Sequence, residues 1–444
     1  MDKGWEKLTG EERLEERINR WMYPADTEFV SDGIQEKYVS RLKRVVDAVK
    51  LETTPDRVPT LSPANFLPGF IYGTSCRDMV YNIDKAVDVW LKFAAEFPSD
   101  LMKGPVYCGT GKAMEILGYN LYKWPGHGLG DNVSFQAVEG EWMKADEYDH
   151  LIDDPSDYWM RGYLPRIFDV MKPFTALPAF NGIVEFPNVN LLANFGLPGV
   201  KEALSRLSDA GEELIRVRDT IGNYKYRIMT EMGYPMNSGG GAKAPFDVLA
   251  DTMRASRGII MDMYRNTGNI YRAMEKIIPL QIKGAVGAVN ASGNPVVFMP
   301  LHKGADGFMS DEQFKNMYWP GLKEVITGLV NEGCIPFLFA EGAYESRLEY
   351  LKELPAGKTI WQFDQTDITK VKKVVGDVVC IAGNVPTSIM VTGTPDQVDE
   401  YCKRMIDVCG DGGGYILTTG AALDEGKADT TRALLESVEK YGVY

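Results

Sequence analysis

The sequence predicts an α/β fold of the (β/α)8 TIM-barrel type, with an N-terminal helical extension and inserted helical and lid segments. Two observations predict it. Across the last third of the chain, "NPVVFMP", "CIPFLFA", "KTIWQF", "DVVCIAG" and "GYILTTG" are short apolar runs, and all but the close step from "KTIWQF" to "DVVCIAG" are separated by longer helical stretches. Strands alternating with helices imply parallel βα units. The second observation is that polar residues gather just after each run: His302 and Lys303, then Glu341, then Asp364 and Asp367, then Asn384, then Asp424 and Glu425. In a barrel the C-terminal strand ends converge on one mouth, so these groups are expected to face a shared cavity.

The elements follow in chain order. Residues 1–55 form the expected N-terminal extension, with "TGEERLEERINRWMY" carrying Thr9 as a cap and Glu12 three residues on, and "GIQEKYVSRLKRVVDAVKL" showing apolar positions at helical spacing. Residues 56–444 form the expected barrel domain. It begins with a short strand near "PDRVPTLSP", a helix at "IDKAVDVWLKFAAEF" and a second strand near "DLMKGPVYCG". The middle, 110–285, is less regular. Its glycine-rich run "SGGGAKAP" lacks the Lys-Ser/Thr ending of a phosphate loop and reads as a flexible lid or a close backbone approach.

Composition excludes some function classes. Forty-eight basic against 62 acidic residues give a net charge of -14, which opposes general affinity for nucleic acid. No run approaches the roughly 18 uninterrupted apolar residues of a membrane span, and the charged N-terminus is unlike a secretion signal, so a cytoplasmic location is expected. The six cysteines form no C-x-x-C pair and read as buried thiols rather than a metal knuckle or disulfide framework. Only three histidines are present, so His302, the one at an expected strand end, stands out.

Each candidate has a plainer alternative. Glu341, between apolar residues and a glycine, is expected to be paired, protonated or metal-bound, or else joined to Arg347 or Lys303 in a salt bridge. Asp364 and Asp367 contact a substrate, or cap the helix that "DQTDITK" begins. Asn384 in "AGNVP" binds a ligand or makes a turn before Pro386. In "FQAVEGEWMKADEYDHL", Gln136, Glu139 and Glu141 flank Phe135 and Trp142, either as a binding loop or as a solvated acidic face.

The segments "NEGCIPFLFAEG", "GNVPTSIMVTGTP" and "GGGYILTTG" resemble the uroporphyrinogen decarboxylase superfamily, which also contains corrinoid-dependent methyltransferases. The resemblance covers residues 290–444 and extends more loosely back to "PDRVPTLSP". The decarboxylases carry an arginine-rich N-terminal signature that has no counterpart near "RVPTLSPANFLPGF". Thiol-methylating members carry a zinc site built on His-x-Cys-Gly and Cys-Gly. Here Phe339 and Glu341 occupy the first motif's His and Cys positions, and Ala421 the second motif's Cys position, so both thiolates are missing.

The longer chain and "FAEGAYESRLEYL" look more like the demethylating branch. That resemblance implies a methyltransferase taking a methyl group from a small methoxylated, aromatic compound to the cobalamin of a separate corrinoid protein. It implies a possible zinc held by Glu341 and His302, with Gln362 standing where a further histidine would be expected. The roles implied are Glu341, His302 and Asp364 in catalysis, and Asn384, Gln136, Asp367 and Arg347 in substrate binding. The rival readings are a decarboxylase of another acid and a barrel that only binds its ligand.

Overall fold

The computed structural model describes residues 4–25 and 27–444; residues 1–3 and 26 of the expected N-terminal extension lie outside them. A parallel sheet of six strands runs in sequence order: β1 (Gly240–Gly241), β2 (Val296–Leu301), β3 (Ile335–Ala340), β4 (Ile360–Phe363), β5 (Cys380–Gly383) and β6 (Tyr415–Ile416). Two bridging segments close it. Thr60 pairs in parallel with Leu417 beyond β6, Leu61 pairs with Leu101, and Met102 pairs with Met236 just before β1. Six strands and two bridging segments make eight positions, and the parallel pairings return to their start as a (β/α)8 barrel requires.

The apolar runs of the last third are strands because their alternate side chains enter two different buried clusters. Val296, Ile335, Phe337, Ile360, Cys380, Ala382 and Ile416 fall in one, with Leu61 and Leu101 from the bridging segments. Val297, Met299, Leu338, Trp361, Ile381 and Tyr415 fall in the other, packed under the helices. The first set is the barrel interior and the second its outer face, the period-two split a strand imposes.

The interior cluster also takes in Leu14, Ile18, Trp21, Tyr38, Leu42 and Val45. These come from α1 (Gly10–Met22) and α2 (Asp32–Lys50), which therefore close the end of the barrel where the strands begin. The expected cap is present. Thr9 Oγ1 accepts from the Glu12 N–H at 3.2 Å and Glu12 Oε2 accepts from the Thr9 N–H at 2.8 Å.

Between the second bridging segment and β1 the chain makes a small three-stranded sheet (Tyr122–Pro125, Gly128–Leu129, Gln136–Ala137) and the long helix α3 (Pro198–Thr230). The run "SGGGAKAP" is the β1 arc and its exit rather than a lid. A Cβ on Gly239 would lie 2.1 Å from the Asn294 carbonyl oxygen, so the close backbone approach holds. After it, α4 (Pro245–Thr252) packs beneath the mouth. All six cysteines are buried and unpaired by disulfides. Among the described residues no helix is long and apolar enough to cross a membrane.

Candidate active site at the barrel mouth

Along β2, Val297, Met299 and Leu301 are buried while Phe298 and Pro300 are partly exposed, so the interior face opens toward the strand's C-terminal end. His302 continues that face one step beyond. On β3, Phe339 and then Glu341 do the same. Pro300 is the register partner of Phe339, so the next residues on the same side, His302 and Glu341, must meet. They do: His302 Nε2 lies 3.4 Å from Glu341 Oε2.

The other side of the imidazole is held by α4. Asp247 and Asp251 sit four residues apart and so share one helix face. Asp247 is fully buried and accepts the His302 N–H at 2.9 Å, the Lys303 N–H at 3.1 Å and the Tyr318 O–H at 2.8 Å. Asp251 Oδ2 lies 2.6 Å from His302 Nδ1 and 2.5 Å from Lys243 Nζ. Lys303 Nζ donates to Ser256 Oγ at 3.1 Å, and Ser256 Oγ donates to Glu139 at 2.7 Å.

These contacts set the charges. Burial works against protonating His302, but the Asp251 hydrogen bond and the Asp251 and Asp247 charges outweigh it, so its pKa is raised. Burial would raise Asp251, yet the His302 hydrogen bond and the Lys243 charge prevail and its pKa is lowered. Burial and the neighbouring Asp251 push Asp247 up to about 6, against the donors that favour its ionised form. The contacts favour the protonated form of the ring, with Nδ1 held on a carboxylate and Nε2 turned to the mouth.

The loops that follow the bridging segments carry an aromatic wall. Tyr107 and Phe135 have ring centroids 5.5 Å apart, and Phe135 and Phe66 lie 6.0 Å apart. A cavity of about 580 Å³ opens among Val106, Tyr107, Met114, Tyr119, Tyr122 and Phe135. Burial raises the Tyr107 pKa, and the charges of Asp424 and Glu341 add to the shift, which puts this wall within electrostatic reach of Glu341.

The expected site residues divide. His302 and Glu341 are brought together, and Glu341 is half-exposed at the rim, facing the imidazole rather than Arg347 or Lys303. Asp364 supports them from β4's end by accepting the Gly342 N–H at 3.1 Å, which fixes the turn after Glu341. Asn384 is buried, its amide donating to the Thr366 carbonyl at 2.8 Å, while the Tyr401 O–H donates to its Oδ1. Asp367 caps the helix Ile368–Val375 by accepting the Thr369 N–H at 3.0 Å.

Arg347 is buried with all three nitrogens committed, to the carbonyls of Gly304 and Met309 and to Asp311, so it is a structural clamp and offers nothing to a ligand. Gln136 lies exposed in the small sheet, opposite Lys123. Sequence reasoning missed Asp247, Asp251 and Lys243. The signal available was the pair of carboxylates at helical spacing in "APFDVLADT", directly after the glycine run.

His302 and Glu341 offer two donors to a metal. Gln362, at the expected third position, uses its amide N–H groups on the carbonyls of Thr419 and Gly420. Among the described residues no group of three or more His, Cys, Asp or Glu side chains is placed to hold a metal ion. A catalytic zinc takes three protein ligands, so the donor set as arranged does not fit one.

The family model described as uroporphyrinogen decarboxylase (URO-D) matches residues 200–441. Among solved structures the chain is similar to a methyltransferase from Methanosarcina mazei, with a TM-score of 0.57 and 16% identity, over 90% of this chain and 98% of that one. At that identity the likeness is one of fold. No curated protein sequence matches the chain.

Proposed function

The chain belongs to the uroporphyrinogen decarboxylase family, and from that premise we propose that its barrel mouth moves a methyl group from a small methoxylated aromatic compound to the cobalamin of a separate corrinoid protein. The observation that carries the reading is the Asp251–His302–Glu341 line at the barrel mouth, an imidazole whose protonated form is favoured, with the aromatic cavity within electrostatic reach of Glu341. The corrinoid supplies the nucleophile that receives the methyl group. This chain is left with orienting the ether and stabilising the oxygen that departs.

As the methyl carbon–oxygen bond breaks, its electron pair stays on oxygen, and that oxygen takes the proton from His302 Nε2. General acid catalysis of this kind contributes about 10²–10⁴ in rate. Asp251 keeps the ring protonated and in place through Nδ1. Glu341, half-exposed, faces Nε2 at 3.4 Å and connects it to solvent for the next turnover. Asp364 holds the turn that positions Glu341. The aromatic wall receives the ring of the donor by stacking. No step is routed through zinc, because the donors present do not complete its site.

The test is anaerobic absorption spectroscopy of the protein with a corrinoid carrier in its cob(I)alamin state and a panel of methyl aryl ethers. Donor-dependent methylation of the carrier supports the reading. Carbon dioxide release without methylation would replace it with decarboxylation, and binding without either would make the barrel a ligand carrier.

A further inference from the structure

Five aromatic rings, those of Tyr107, Tyr119, Tyr122, Phe135 and Phe168, line one cavity of about 580 Å³, a size usual for small-molecule sites. Pairing of short backbone segments gathers them. Tyr119 pairs antiparallel with Phe168, and Tyr122 pairs with Ala137, two residues on from Phe135. The run 119–122 therefore joins two neighbouring segments and collects their rings. Tyr119 has its centroid 5.1 Å from that of Phe168 and 6.1 Å from that of Tyr122, and Tyr107 lies 5.5 Å from Phe135.

No charged side chain lines this cavity, but carboxylates stand at its edge. Asn65 is part of the lining and donates its amide to Asp424 Oδ1 at 2.6 Å. Among the described residues Asp424 has no cation paired with it, and the ionic contact of Glu341 is with His302. Burial, the neighbouring Tyr122 and the charges of Asp424 and Glu341 all raise the Tyr107 pKa, and no cation opposes them. The surroundings of the rings are therefore anionic.

Ring faces attract a cation that lies within about 6 Å of their centroids. An ammonium with N–H groups would need an acceptor for each, which a lining made mainly of aromatic and aliphatic side chains does not provide. Full methylation removes that need, because the charge then lies behind methyl groups that pack on the rings. We propose that this cavity binds a small organic cation bearing a fully methylated ammonium group, with the rings around the charge and Asp424 as its counter-ion. The proposal goes beyond the methyl-transfer reading and does not depend on it. A neutral ring stacks on the same wall through its area, whereas the cation also draws on the ring faces and the carboxylate.

The experiment is calorimetric titration of the full chain with choline and with 3,3-dimethyl-1-butanol, which has the same shape with carbon in place of the charged nitrogen. The wild type should bind choline at least about tenfold tighter than the alcohol. Asp424→Asn and Tyr107→Leu should each weaken choline more than the alcohol, and added salt should weaken choline alone. Equal affinities of the wild type for the two ligands, or no binding of either, overturn the proposal whether or not a variant folds. So does a choline preference that both variants retain in full. Because the titration contains neither ether nor corrinoid, its failure leaves the methyl-transfer reading standing, and a failure of methyl transfer leaves the cation site standing.

Discussion

Asp251→Asn removes the charge that keeps His302 protonated while preserving the shape of the side chain. In the wild type Asp251 Oδ2 lies 2.6 Å from His302 Nδ1 and 2.5 Å from Lys243 Nζ. A hydrogen bond to a charged group contributes about 1.5–3 kcal/mol. The His302 side chain is 33% exposed, so solvent screening favours the lower end, about 1.5 kcal/mol, a factor of about ten in the proton equilibrium. His302 has its folded-state pKa raised, so the protonated ring and the stability it contributes are fully present below the ordinary imidazole range and are lost as pH rises through the folded value. In Asp251→Asn that loss should begin at lower pH, and the alkaline limb of the methyl-transfer pH profile should move with it. Proton NMR titration reads this directly, because the chain has only three histidines and His302→Gln identifies the resonance. A His302 resonance that titrates at the same pH in wild type and Asp251→Asn would refute the reasoning.

His302→Gln should lower kcat by about 10²–10⁴, and Glu341→Gln by less, since it relays the proton rather than donating it to the leaving oxygen; a Glu341→Gln loss larger than that of His302→Gln would reverse the two roles. Asp247→Ala should cost about 3 kcal/mol in urea denaturation, because it strands the His302 and Lys303 N–H groups and the Tyr318 O–H. With the Asp247 pKa raised to about 6, the folded state holds the extra proton between the ordinary carboxylate range and about pH 6, so stability should fall as pH rises through that window and the slope should vanish in Asp247→Asn. Arg347→Met should lower stability by about 3 kcal/mol by thermal denaturation without changing kcat of the folded protein, and a changed kcat would restore Arg347 to the site.

What was legible in the sequence followed from side-chain periodicity. The strands from Val296 onward announce themselves because their two faces enter two apolar clusters, and the first polar residue after each marks the mouth. That pattern marks His302 and Glu341, and parallel register makes them neighbours. The first two arcs were visible as short apolar segments. The third arc was not, because Gly240 and Gly241 pair through backbone alone and present no pattern. Asp247 and Asp251 were overlooked because acidic residues on a helix read as a solvated face, and only the fold turns α4 inward. Arg347 went the other way. A charge near a strand end looks available until its partners, two carbonyls and Asp311, are known. The fold was therefore readable from pattern, whereas the ion pairs that tune the site depended on contacts between residues 51 positions apart, as His302 and Asp251 are.

The central claim is methyl transfer to a corrinoid, and the most direct measurement is single-turnover absorption of the carrier in its cob(I)alamin state, mixed anaerobically with the protein and a methyl aryl ether. The account predicts that the cob(I)alamin absorption is replaced by that of the methylated cofactor, with one equivalent of the demethylated phenol formed, and that His302→Gln slows the change. A cob(I)alamin spectrum that persists with every methoxylated donor, in the presence of folded protein and a competent carrier, would contradict it.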